Sequence, residues 1–237
     1  MSPSDPAAAS RQDSSLHGST IIHLPHLIAD PGSYGFLPFK PHVQKLILAG
    51  TAASQHICIL WYTSPDGGVD FHTHAMTEAV YVIQGSQADH RGTYGAGSLY
   101  FNPPGSGHRI VNSHGFFLLA YASPPDFANT AFDADYVPVH INTAAAITEA
   151  YPFIEQAKGI ATYPIPLAPQ GGMQAELIRL RAGQTYRYSG NYLLGLRGRC
   201  LINGQPSQDT LVVAATAPQT YCLKADAETC WLLGLAF

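Results

Sequence analysis

Charge is scarce in this chain. Of 237 residues only 12 are Lys or Arg and 16 are Asp or Glu, leaving a net charge of −4. Without a basic stripe to neutralise a phosphate backbone, nucleic acid is not an expected partner. Long apolar runs are missing too: no segment offers about eighteen unbroken apolar residues, so no membrane span is expected. There are four cysteines, Cys58, Cys200, Cys222 and Cys230, with no CxxC spacing between them. A chain of this length does not need disulfide staples. Reduced, buried thiols and a cytoplasmic location are the expectation. The first twenty residues, MSPSDPAAASRQDSSLHGST, lack the apolar stretch of a secretory signal and read as a disordered tail over 1–20.

What the chain does have is apolar residues, 46% of the total, arranged in short runs. HICILWY (56–62), EAVYVIQ (78–84), GSLYFN (97–102) and FFLLAYA (116–122) have strand length and are rich in β-branched and aromatic side chains. PDGG (65–68) and PPGSG (103–107) read as tight turns between them. Many short strands at close spacing predict an all-β antiparallel sandwich or barrel. One helix is predicted, over 142–157 (NTAAAITEAYPFIEQA), with Pro152 kinking or splitting it. Beyond it the strand pattern resumes in AELIRLRAG, NYLLGLRGRCLING, DTLVVAAT and TCWLLGLAF. The two halves correspond in length, turn placement and closing apolar strand, so we read two β units in tandem: 21–135 and 136–237, joined by the helix.

Within FHTHAMTEAVYVIQG (71–85), His72 and His74 stand one residue apart and Glu78 follows four residues later. Alternate residues of a strand share a face, which brings the two imidazoles together about 7 Å apart along the strand. Glu78 can open the neighbouring strand, and His108 closes the PPGSGH turn. Three imidazoles and one carboxylate suit a divalent transition metal with coordination positions left open.

Residues 97–112 read G-x5-P-x-G-x2-H-x3-N, and 72–85 supply H-x-H-x3-E-x6-G. Together they resemble the two signature motifs of the cupin superfamily, with Gly67 one residue nearer the histidine than usual. The run GTYGAGSLYFNPPGSGH is similar to the cupin domain of ChrR-type anti-sigma factors. No His-x3-Cys-x2-Cys group precedes it, so sigma binding is poorly supported. The resemblance implies two tandem jelly-roll β-barrels with the ion inside the first. His72, His74, Glu78 and His108 would be its ligands, and Glu78 would double as a catalytic base. Gly85 and Gly97 would shape the strand connections, and Pro103 and Gly105 would aim His108 inward.

The second unit lacks this chemistry. No histidine follows His140, and the equivalent positions fall near Arg187, Tyr188, Asn191 and Tyr221. It should be a degenerate, metal-free barrel that supports the first by packing, or else closes its mouth. His23, His26, His42, His56, His90, His114 and His140 are expected to be surface or hydrogen-bonded residues. His90 and Arg91 could approach the barrel mouth, and Tyr94 and Tyr100 could line the pocket. Trp61, Phe71, Tyr81 and Phe101 suggest apolar walls suited to a small aromatic or diketone-like substrate rather than a phosphosugar.

A three-His, one-Glu site holds one divalent metal per chain, with Fe(II) favoured and Zn, Mn or Ni as alternatives. The leading expectation is an Fe(II)-type oxygenase. A redox-neutral Zn-type cyclase, lyase or isomerase, or a ChrR-like metal- or redox-sensing module, are the alternatives. Edge-strand pairing leaves a homodimer open.

Overall fold

The computed structural model describes residues 18–143, 151–206 and 211–237. It is nearly all β. The first half contributes β2 (Leu37–Lys40), β3 (Val43–Gly50), β4 (His56–Thr73), β5 (Glu78–Asp89), β6 (Gly92–Gly95), β7 (Ser98–Asn102), β8 (Gly107–Tyr121) and β9 (Val139–Asn142). They form one eight-stranded antiparallel sheet, ordered β2-β3-β4-β8-β5-β7-β9 with β6 on β5. The second half contributes β10 (Ile154–Ala157), β11 (Ile160–Pro164), β12 (Gln174–Leu180), β13 (Thr185–Arg197), β14 (Cys200–Ile202), β15 (Gln205–Pro206), β16 (Leu211–Ala225) and β17 (Cys230–Ala236). These join a nine-stranded sheet whose remaining member is β1 (Ser19–His23), paired with β16. The N-terminal strand thus crosses to the second sheet. After β1 comes the short helix α1 (Leu24–Ala29), the only α-helix among the described residues.

Strand alternation divides the apolar residues into three cores. Val43, Cys58, Leu60, Tyr62, Val80, Val82, Phe117 and Leu119 fill the interior of the first sheet. Ile178, Leu180, Tyr188, Leu193, Val213 and Tyr221 fill the second. The opposite faces, including Ile57, Ile59, Phe101 and Leu118 of the first half and Leu177, Tyr192, Leu194 and Leu233 of the second, pack against one another. A strand buried on both faces reads as a continuous apolar run, as in 56–62 and 230–235. The second half therefore supports the first by packing.

Three expectations change. Over 142–157, Asn142 ends β9 and Ile154–Ala157 form β10, while residues 144–150 lie outside the described residues, as do 1–17. At the C-terminal end of that stretch, pairing of Ile154 with Thr162 wins over helix propensity, and Pro152 disfavours helical backbone just before it. PDGG does not reverse the chain: β4 runs through it, with register shifts against β8 between Tyr62 and Gly67 and between Gly67 and Val69, so the segment is an irregular bulge. Cys222 is exposed, while Cys58, Cys200 and Cys230 are buried; none of the four is in a disulfide.

Candidate metal centre

The ends of β4, β5 and β8 converge inside the first barrel. His72 and His108 are facing Cα partners on β4 and β8. His74 follows His72 on the same face, with ring centroids 4.9 Å apart. Glu78 is the first residue of β5 and faces Asn102 and Tyr121 on its two neighbours. The Pro103–Ser106 turn delivers His108: Ser106 N–H donates to the Pro103 carbonyl, and Gly105 N–H to that of His74. Gly105 has φ +82°, a backbone state that glycine adopts without a steric penalty. Gly85, at φ +84°, lies where a Cβ would collide with the His114 carbonyl oxygen.

His72, His74, Glu78 and His108 are each no more than 2% exposed, and one donor atom from each lies within 4.8 Å of all the others. His108 Nε2 is 3.1 Å from His72 Nε2 and 3.3 Å from His74 Nε2. Glu78 Oε2 is 3.3 Å from His74 Nε2 and 3.5 Å from His108 Nε2. Two donors each about 2.1 Å from a common ion are separated by about 3.0 Å at a right angle and about 3.4 Å at the tetrahedral angle. Three of the spacings, 3.1 to 3.3 Å, fall in that window and the fourth, 3.5 Å, lies just outside it. Three Nε2 atoms facing one another also cannot all be satisfied by mutual hydrogen bonds, because each neutral ring has one donor and one acceptor. The group is able to hold a metal.

The electrostatics agree. Burial pulls His74 down to about 3 and also lowers His72, which favours the neutral, ligating form. Burial works against the Glu78 carboxylate, but His74 and His108 outweigh it and hold the group well below the usual carboxylate range. His108 differs: burial opposes its charge, yet Asp89 and Glu78 together push it up to about 9. Asn102 Nδ2 donates to Glu78 Oε2 at 2.7 Å and fixes that carboxylate.

The pocket beside these groups is lined by Phe39, Leu60, Tyr62, Val69, Leu119 and Phe127 among others, and encloses only about 10 Å³. Phe127 lines its outer side, with its ring 5.3 Å from His72. Lys40 Nζ lies 4.4 Å over Phe127 and 3.0 Å from Asp70. The walls are apolar as expected, but not from the residues named. Trp61 and Phe101 point the other way, into the core shared with the second half. Tyr81 packs against that core too, and Phe71 meets Phe132 5.2 Å away at the surface. Even-numbered residues of β4 around Leu60 face the barrel interior, so Trp61 cannot.

Tyr100 reaches the site only through Gln87, donating to its Oε1 at 2.8 Å, while Tyr94 stacks on Tyr100. Arg91 donates to the Ala134 carbonyl and lies over the Tyr136 ring. His90 lines a separate outer hollow with Arg109 and Phe132. Of the remaining histidines, His56 is fully buried: Nδ1 donates to the Ser54 carbonyl and Nε2 lies 2.9 Å from Lys45 Nζ. Sequence reasoning missed Asp89, Asn102 and Phe127. Asn102 sits inside the second motif and could have been noticed; the other two carry no local signal.

The ChrR cupin-like domain family matches residues 25–124, the stretch that contains all four candidate ligands. Similar folds cover nearly the whole chain. One is a salicylate 1,2-dioxygenase from Pseudaminobacter salicylatoxidans, 15% identical, covering 98% of this chain and 87% of its own, with TM-score 0.60. Another is a cupin 2 conserved barrel domain protein from Leptotrichia buccalis, 13% identical, covering 91% and 95%, TM-score 0.57. The chain has the cupin fold. A third similar structure, the E. coli protein Ylba, is 14% identical and covers 97% and 95%, TM-score 0.57. No curated protein matches this chain. No helix among its described residues is long and apolar enough to cross a membrane.

Proposed function

We propose that this cupin is a metal-dependent enzyme, an Fe(II)-type oxygenase acting on a small aromatic or diketone-like molecule. The observation that carries the reading is the set of four buried donors, spaced 3.1 to 3.5 Å along the shortest contacts. When bound, a divalent iron supplies Lewis acidity and redox chemistry toward dioxygen, and three imidazoles with one carboxylate are donors it accepts. A similar fold in a dioxygenase that binds gentisate is compatible with this assignment.

The chain's own residues do the rest. His72 and His74 present neutral nitrogens, and His108, which Asp89 and Glu78 push up to about 9, would give up its Nε2 proton to an incoming cation. Glu78 stays ionised at neutral pH, anchored by Asn102, and on displacement is placed to accept a proton from an incoming acid such as an enol or phenol. Phe39, Leu60, Val69 and Phe127 exclude water, and the cationic Lys40 stands over the Phe127 ring. The test is metal analysis of untagged protein followed by oxygen uptake with Fe(II)-reconstituted protein across phenols, diketones and flavonoids. About one iron per chain and substrate-dependent uptake are expected, with turnover lost in Glu78→Gln. Turnover by the zinc form alone would replace the oxygenase with a redox-neutral cyclase, lyase or isomerase.

A second reading has an observation of its own. A pocket of about 10 Å³ is too small for an aromatic substrate, and the family match is to a ChrR cupin-like domain. Both favour a metal- or redox-sensing module. Metal retention with no turnover, together with a stable protein partner, would select it.

A further inference from the structure

The three imidazoles of the centre are held in three different ways. His72 Nδ1 donates to the Asp70 carbonyl at 2.8 Å. His74 Nδ1 is buried with no partner. His108 Nδ1 lies 3.2 Å from the Asp89 carboxylate oxygen Oδ2. Only at His108 does Nδ1 meet an anion.

Asp89 is itself tightly fixed. Its side chain is 2% exposed, at the end of β5 far from Glu78. Its two oxygens have separate partners. Oδ1 accepts the backbone N–H groups of Arg91 at 2.7 Å and Gly92 at 3.2 Å, while Oδ2 faces His108. The turn that donates these two N–H groups is pinned in turn, because the Arg91 guanidinium donates to the Ala134 carbonyl at 2.8 Å and lies 3.8 Å over the Tyr136 ring. The carboxylate is therefore aimed by the β5–β6 turn independently of His108.

We propose that Asp89 is a positioning residue for the metal centre: it holds the proton of His108 on Nδ1 and so directs the Nε2 lone pair at the point shared with His72, His74 and Glu78. This rests on the reading of those four side chains as a metal site. The reason is chemical. An ionised carboxylate can only accept, so the ring nitrogen it meets must carry the proton, and the other nitrogen is left free to ligate. The negative charge also makes the imidazole a stronger donor. Removing such an outer partner typically weakens metal affinity by about 10–100-fold.

Replacing Asp89 with Asn separates this role from simple space filling. The Asn side chain has the same volume. Its single carbonyl oxygen is needed by the Arg91 and Gly92 N–H groups, which turns its NH₂ toward His108 Nδ1, donor against donor. The tautomer with Nε2 protonated then gains, and the ligand is lost. Asp89→Ala leaves room for a water and removes the charge without imposing the wrong partner.

The experiment is cobalt(II) titration, read by visible absorption, of the full chain and of Asp89→Asn and Asp89→Ala, with thermal melting of each metal-free protein alongside. Affinity should fall by about 10–100-fold in Asp89→Ala and at least as far in Asp89→Asn. In the zinc-loaded protein, ¹⁵N-edited NMR should show a slowly exchanging His108 Nδ1–H that disappears in Asp89→Ala. Near-wild-type cobalt affinity in Asp89→Asn, with only Asp89→Ala impaired, would show a merely structural residue and overturn the proposal while the metal site stands. Absence of the Nδ1–H signal from the wild-type zinc form would overturn it equally. If the wild-type chain binds neither cobalt nor zinc, the metal reading itself fails and the positioning role falls with it.

Discussion

The two barrels put different chemistry at corresponding places. In the first, His72 on β4 faces His108 on β8; in the second, Tyr188 on β13 faces Tyr221 on β16. The tyrosine rings stack with centroids 6.5 Å apart, and the Tyr221 hydroxyl pairs with Ser19 Oγ at 3.1 Å. Gly190 and Gly234 leave the space that the Tyr188 ring occupies, since a Cβ at either would collide with it. Asn191, fully buried, donates to the carbonyls of Ala215 and Thr216 and accepts from the Phe237 N–H. Where the first barrel gathers three imidazole nitrogens and a carboxylate around one point, the second fills the volume and closes its hydrogen bonds internally. A candidate site for an ion thus stands out as a cluster of buried donor atoms turned toward one another.

The second half still serves the first. Beyond the shared core, the Gly171 carbonyl accepts the Thr77 N–H at 2.9 Å, bracing the loop between His74 and Glu78 from outside the first barrel. The strand exchange of β1 adds Ser19 to the tyrosine pair of the second barrel.

The contrast is sharpest in metal content. His108→Ala should abolish retained metal, measured by elemental analysis of untagged protein, whereas Tyr221→Ala should leave it at the wild-type level. Tyr221→Ala should instead cost roughly 3 kcal/mol of stability in denaturant melts, because it empties a packed interior. A metal loss in Tyr221→Ala comparable to that in His108→Ala would break the division between the halves.

Acid should also act through the first barrel. Burial, with Lys45 adding to it, lowers His56 to about 4 from an ordinary 6.5. Between those values the unfolded chain binds the proton that the folded chain refuses. Stability is therefore full above about pH 6.5 and falls as pH drops toward 4, by up to about 3 kcal/mol from this residue. Comparing melts of the metal-free chain and of His56→Gln across pH 4 to 7 isolates the contribution; identical pH slopes would remove it. The smallest effect concerns access. Phe127→Ala should let a chelator strip metal several-fold faster with little change in equilibrium affinity, and an unchanged rate would show that Phe127 does not control entry.

Much of this was legible in the sequence because its causes are local. Period-two alternation put His72 and His74 on one face, β-branched runs announced β4, β5, β8, β12, β13, β16 and β17, and the PPGSGH turn placed His108. The stretch 142–157 misled because composition resembling a helix cannot reveal that Ile154–Ala157 finds a partner in β11. Trp61 misled for a related reason: one residue of register decides which face a strand side chain takes.

The sequence by itself determined the candidate ligand set, the barrel class and the loss of histidine from the second half, since each depends on residue type and short spacing. Only the tertiary structure decided that Asp89 meets His108, that Phe127 lines the pocket beside His72, that β1 crosses to the second sheet and that Gly171 braces the loop between His74 and Glu78. Those contacts join residues far apart in the chain. They arise from how whole strands pair and pack, which no local pattern encodes.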